Sequence, residues 1–78
     1  MTAGEALQAV LDALGTPQSA FAYEAGISAK HLNQLIKGHA NFTPETSLMI
    51  ADALAMRLVA IDTKDRMETL RRRERRHG

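Results

Sequence analysis

The sequence predicts a compact all-α fold of four to five short helices, followed by a short C-terminal strand and a basic tail. Three observations carry that expectation. Apolar residues recur at i, i+3 and i+4 over most of the chain instead of alternating at period two. Glycines at 15, 26 and 38 cut this pattern into short pieces, and hydroxyl residues or Thr-Pro pairs stand where each piece begins. The length of 78 residues, 45% of them hydrophobic and none cysteine, leaves room for one domain with one conventional core. A core of this size contributes only about 3–5 kcal/mol, so a partner subunit would help.

A first helix is expected over about 3–14. Thr2-Ala3-Gly4-Glu5 has the capping-box spacing, in which hydroxyl and carboxylate satisfy backbone donors at the helix start. Ala6, Leu7, Val10, Leu11 and Leu14 then share a face, and Gly15 stops the helix. Thr16-Pro17 restarts the chain with a hydroxyl cap and a proline where a missing N–H costs nothing. Phe21, Ala22 and Ala25 form the inner face of a second helix of about two turns, ended by Gly26, with Ile27 as an apolar plug. Ser28 caps a third helix whose apolar residues are Leu32, Leu35 and Ile36, and Gly38 ends it. His39-Ala40-Asn41 leads through Phe42 to a second Thr-Pro start, Thr43-Pro44-Glu45. The fourth helix is expected over about 44–55, with Leu48, Ala51, Leu54 and Ala55 at helical spacing.

Residues 56–62 read as a short strand from their β-branched content, with a further helical turn as the alternative. A lone strand needs a partner. Met56, Leu58, Val59 and Ile61 are therefore expected to form a dimer contact with a second copy. Met67 and Leu70 are three apart, so residues 66–78 can begin helical; the apolar stripe then ends, which predicts a disordered terminus. The chain divides into a body at 1–62 and an Arg-rich tail at 63–78.

The formal net charge of +1 hides a split between these parts. Residues 1–65 hold four lysines and arginines against seven acids, a balance of −3. Residues 66–78 hold six arginines against two glutamates, a balance of +4. Apolar residues never run long enough to span a membrane, and the N-terminus lacks the order of a signal peptide, which predicts a cytoplasmic protein with no membrane partner. His31, His39 and His77 have no cysteine and no second histidine at ligand spacing, so no metal is expected. Ser19, Ser28 and Ser47 lack a histidine–aspartate arrangement, so no catalytic residue, cofactor or enzymatic activity is expected either. Three aromatic residues are too few for an RNA-stacking platform.

The second and third helices, joined by a tight turn at Gly26, have the layout of a helix-turn-helix, whose second helix enters the DNA major groove. At about 100° per residue, Leu32, Leu35 and Ile36 fall on one side of the third helix. Lys30, Asn33, Gln34 and Lys37 fall opposite, and none of these is acidic. Two amides and two cations are what readout of base edges and phosphates requires.

The run Gln18-Ser19-Ala20-Phe21-Ala22-Tyr23-Glu24-Ala25-Gly26-Ile27-Ser28, continued by Leu32, Leu35 and Gly38, resembles the Xre/Cro family of phage-repressor helix-turn-helix domains, which implies a lambda-repressor-like fold. The run Lys37-Gly38-His39-Ala40-Asn41-Phe42-Thr43-Pro44-Glu45-Thr46, with Leu48 and Ala51, is similar to that family's HigA-like antitoxins and small phage or prophage regulators. The resemblance covers about residues 4–58; Ile36 stands where much of the family carries glutamate, and the arginine tail lies outside it. It implies that Ala29, Lys30 and Gln34 read bases and that Gln18, Ser28, Lys37 and Asn41 lie toward the phosphates. Ala29 offers only a methyl, so base reading falls to Lys30 and Gln34, with Asn33 and His31 as flanking candidates, His31 on the backbone side. Arg71, Arg72, Arg73, Arg75 and Arg76 are a solubilising tail, an arm on nucleic-acid backbone or a docking segment. The implied function is a transcriptional repressor of the phage Cro type, bound to double-stranded DNA as a homodimer on two half-sites. The alternative is an antitoxin that binds a toxin protein and autorepresses its operon.

Overall fold

The computed structural model describes residues 1–76, with side chains through Arg72, so His77 and the side chains of Arg73, Arg75 and Arg76 lie outside the described residues. Four helices follow one another: α1 (Ala3–Leu14), α2 (Gln18–Ala25), α3 (Ala29–Lys37) and α4 (Pro44–Arg76). The first three and the start of α4 enclose the core, in which Leu11, Phe21, Leu32 and Leu35 are fully buried. Leu7, Ala22, Ala25, Ile50 and Ala53 complete it. Each large side chain sealed here stabilises the fold by about 1.5–3 kcal/mol relative to exposure.

The predicted start of α1 forms as a modified capping box. The Glu5 N–H donates to Thr2 Oγ1 at 3.1 Å, and the Thr2 hydroxyl itself donates to the Glu5 carboxylate at 3.2 Å. At the second residue of α1, Gly4 is buried against the end of α3. A Cβ added there would lie 2.7 Å from the Leu35 carbonyl oxygen and closer still to that of Ile36, so α1 sits at a distance only glycine allows.

The two Thr-Pro signals have different outcomes. Thr43 Oγ1 accepts from the Thr46 N–H at 3.1 Å and caps α4 as expected. Thr16 does not cap α2: the cap position falls on Pro17, which makes no side-chain bond. Thr16 is instead buried, and its hydroxyl accepts from Arg57 Nη1 at 2.8 Å. The same guanidinium grips Glu24 through two bonds of 2.5 and 2.6 Å. Arg57 thereby ties the middle of α4 to the α1–α2 turn and to the last turn of α2.

The expected strand at 56–62 is corrected to helix, and so is the expected end of α4 at residue 55. Neither glycine nor proline occurs from Glu45 to Arg76, so nothing in the backbone stops the helix. Within one chain, a helix satisfies its own N–H and C=O groups, whereas a lone strand would leave them unpaired. Arg66 and Asp62 add an i,i+4 ion pair at 3.2 Å on the exposed surface. The disorder expected toward the terminus gives way to helix as far as Arg76, and α4 crosses the 62/63 boundary without a break.

The inner face of α4 also differs from the spacing read in the sequence. Ile50 and Ala53 are buried and Leu54 is half-buried, while Leu48, Ala51 and Ala55 face solvent. This helix is apolar on more than one side, so periodicity alone does not choose which side meets the body. Beyond Arg57 every described residue is exposed. The 33-residue helix is about 50 Å long at 1.5 Å per residue, and the molecule is correspondingly elongated, 57 by 21 by 18 Å.

Candidate nucleic-acid interface

The joint between α2 and α3 is built by three residues. Gly26 adopts φ +76°, a left-handed conformation open to glycine, and its N–H donates to the Tyr23 carbonyl at 3.2 Å. A Cβ at this position would also lie 3.3 Å from the end of Met49. Ile27 sends its N–H to the Ala22 carbonyl at 3.0 Å and packs its half-buried side chain against the core. Ser28 then opens α3, its Oγ accepting from the His31 N–H at 3.0 Å.

The core holds α3 by Leu32 and Leu35, with Ile36 half-buried beside them. On the remaining surface, Ala29, Lys30 and Lys37 are exposed, and His31, Asn33 and Gln34 are half-buried. Lys37 sits in the last turn, where its charge complements the helix dipole. Ser28 at one end of the helix and Asn41 beyond the other are exposed, and Gln18 at the start of α2 is half-buried. The face therefore carries two cations that pair with no acid among the described residues, and no carboxylate stands on α3 itself. Glu5, Asp12, Glu24, Glu45 and Asp52 all stand on the other helices.

One set of contacts was not visible in the sequence. Asn33 Nδ2 donates to Gln18 Oε1 at 3.1 Å, joining α3 to the start of α2. Gln18 Nε2 donates to Gln8 Oε1 at 2.6 Å, and Gln8 Nε2 donates to Asp12 Oδ1 at 2.8 Å, both partners lying on α1. Two of the predicted contact residues, Gln18 and Asn33, are thus brought together, and Gln8 and Asp12 stand behind them. The only sequence signal for these two was their i,i+4 spacing on the side of α1 away from Leu7 and Leu11.

The four residues expected at a dimer contact do not share a face. On a helix Met56 and Val59 lie about 60° apart, as do Leu58 and Ile61, and the two pairs point in nearly opposite directions. Met56 and Ile61 line a groove with Leu14, Ala53 and Ala60. Leu58 and Val59 continue the exposed row begun by Leu48, Ala51 and Ala55. Of the tail, Arg71 and Arg72 are exposed on the last turns of α4. Among the described residues, no helix is long and apolar enough to cross a membrane.

A polar, cation-bearing helix held by a tight turn to a helix anchored in the core by Phe21, Ala22 and Ala25, with amides and lysines outward, defines a DNA-binding helix-turn-helix domain. A family model described as helix-turn-helix matches residues 7–61, and the chain belongs to that family of DNA-binding transcription regulators. Neither the search of curated proteins nor that of solved structures returned a match.

Proposed function

We propose that the chain is a sequence-specific repressor of the small phage-regulator type, which binds double-stranded DNA as a homodimer and acts by occupying a promoter. The observation that carries this reading is the outer face of α3, where Lys30, Gln34 and Lys37 point outward from a helix that holds no acidic residue. Gln34 suits a bidentate contact with adenine and Lys30 a contact with guanine, each worth about 1–3 kcal/mol of discrimination. Ser28, His31, Lys37 and Asn41 suit phosphates on either side, where they fix register without reading sequence. The dimer forms through α4, whose exposed row Leu48, Ala51, Ala55, Leu58 and Val59 is apolar with small residues at its centre. Two copies would place two recognition helices about 34–36 Å apart, one turn of the duplex.

Selection from a pool of random duplexes, with the mass of the bound species measured alongside, tests this reading. The expected result is a motif of two symmetric half-sites occupied by a dimer, with Gln34→Ala relaxing one position in each half. A motif unchanged by Gln34→Ala would remove the base-reading role of that residue. The arginines of the tail act as an arm on the DNA backbone. Deleting residues 70–78 should flatten the log–log salt dependence by about 0.9 for each phosphate that the arm neutralises. An unchanged slope would remove the arm.

A second reading, an antitoxin that also binds a toxin protein, is favoured by one observation. Met67 and Leu70 lie three residues apart on the outer half of α4, about half-exposed, and leave an apolar strip beyond the DNA-binding body for a protein partner. A toxin-like reading frame beside this gene would favour it.

A further inference from the structure

We infer that the carboxylate of Asp12, on the surface of α1, fixes which atom of Asn33 faces the DNA, and so makes Asn33 a hydrogen-bond acceptor that selects base pairs by an exocyclic amino group. The inference rests on the DNA-reading role proposed for α3. It follows from the direction of the amide chain. A carboxylate can only accept, so the Gln8 amide must turn its nitrogen to Asp12, at 2.8 Å, and its oxygen away. That oxygen accepts from Gln18 Nε2 at 2.6 Å, which turns the Gln18 oxygen toward α3. Asn33 meets this oxygen with Nδ2 at 3.1 Å. Each amide in the row has one orientation that satisfies its neighbour, and the row is anchored at an end that cannot be reversed.

The consequence lies at the other end. Among the described residues nothing donates to Asn33 Oδ1, and no side-chain oxygen or nitrogen is both buried and unpartnered, so this oxygen keeps access to solvent. An acceptor in the major groove meets the amino group of adenine or of cytosine. It gains nothing from the carbonyl oxygens of thymine and guanine. Gln8 and Asp12 thus act as positioning residues: neither needs to touch DNA, and both act through Gln18. A free asparagine could turn over to present either its oxygen or its amino group; the row holds Oδ1 outward and commits one of the two Nδ2 protons to Gln18.

The test uses the full chain in four steps. Selection with wild type and with Asn33→Ala identifies the base pair that Asn33 reads. That pair is then rebuilt without its amino group, as purine for adenine or pyrimidin-2-one for cytosine. In a third duplex it is rebuilt without the carbonyl oxygen opposite, as 5-methylpyrimidin-2-one for thymine or 2-aminopurine for guanine. Finally the same duplexes are measured with Asp12→Lys, whose ammonium only donates and would reverse every amide in the row. Wild type is expected to lose about tenfold in affinity with the amino group, and little with the carbonyl, each relative to Asn33→Ala on the same duplex. Asp12→Lys is expected to exchange the two sensitivities. Its added charge raises affinity for all duplexes alike and leaves the comparison intact. Wild-type dependence on the carbonyl, or an Asp12→Lys profile identical to wild type, would overturn the inference, as would an Asn33→Ala motif unchanged at every position. A pool that yields no motif with wild type would contradict the DNA-reading role itself, which is a separate failure.

Discussion

Up to Arg57, α4 packs Ile50 and Ala53 into the body; beyond it the same helix runs on with every described residue exposed. In the body, Thr2, Ser28 and Thr43 cap three helix starts, glycines 15, 26 and 38 close three ends, and each helix has one buried stripe. In the overhang, the helix persists because nothing interrupts it, supported by i,i+4 contacts such as Asp62–Arg66 and by the Thr69 hydroxyl, which donates to the Asp65 carbonyl at 3.0 Å. The two regions also carry opposite charge. Residues 1–57 hold five acids against three lysines and arginines, and residues 58–78 hold four acids against seven. Burial defines the compact half, whereas among the described residues beyond Arg57 the projecting half buries none.

Mutations should separate the two regions by the size of their effects. Leu32→Ala leaves a cavity in the centre of the core, and a loss of about 2–5 kcal/mol is expected in chemical unfolding, enough to unfold much of the population. Gly4→Ala forces α1 off the carbonyls of α3, with an expected loss of about 1–3 kcal/mol and weaker DNA binding, because α3 itself shifts. Arg57→Ala releases Glu24 and the buried Thr16 hydroxyl. Its side chain is 29% exposed and that of Glu24 is 41%, so solvent screening limits the expected cost to about 1 kcal/mol, read as a lower melting temperature. Replacing both Met67 and Leu70 by glutamine should change monomer unfolding by no more than about 0.5 kcal/mol. An effect on the scale of Leu32→Ala would mean that the overhang is part of the core.

Much of the body is legible in the sequence because its signals are local. Thr2, Ser28 and Thr43 cap where their positions predict, and Gly15, Gly26 and Gly38 end their helices. Thr16-Pro17 has the same local signal as Thr43-Pro44 and a different role, because Arg57, distant in sequence, claims the hydroxyl. A dipeptide cannot report a contact made 41 residues away. The clue was an arginine inside an otherwise apolar run, Met56 to Ile61, which implies a partner for its charge. The length of α4 was obscured by Val59 and Ile61, whose strand preference is outweighed by an uninterrupted helix. The outward face of α3 was legible, since its polar arc is opposite a clear apolar one. The amide row behind it was not, since it depends on how three helices meet.

In the proposed division of labour, the compact half reads DNA through α3 while the outer half of α4 takes no part in base recognition. That division is tested most directly by amide chemical-shift mapping of the labelled protein with a selected duplex. The largest shifts are expected at Ser28 to Lys37 and at Gln18 and Asn41, with residues 58–70 little changed between free and bound protein. Shifts concentrated in 58–70, with α3 undisturbed, would contradict it.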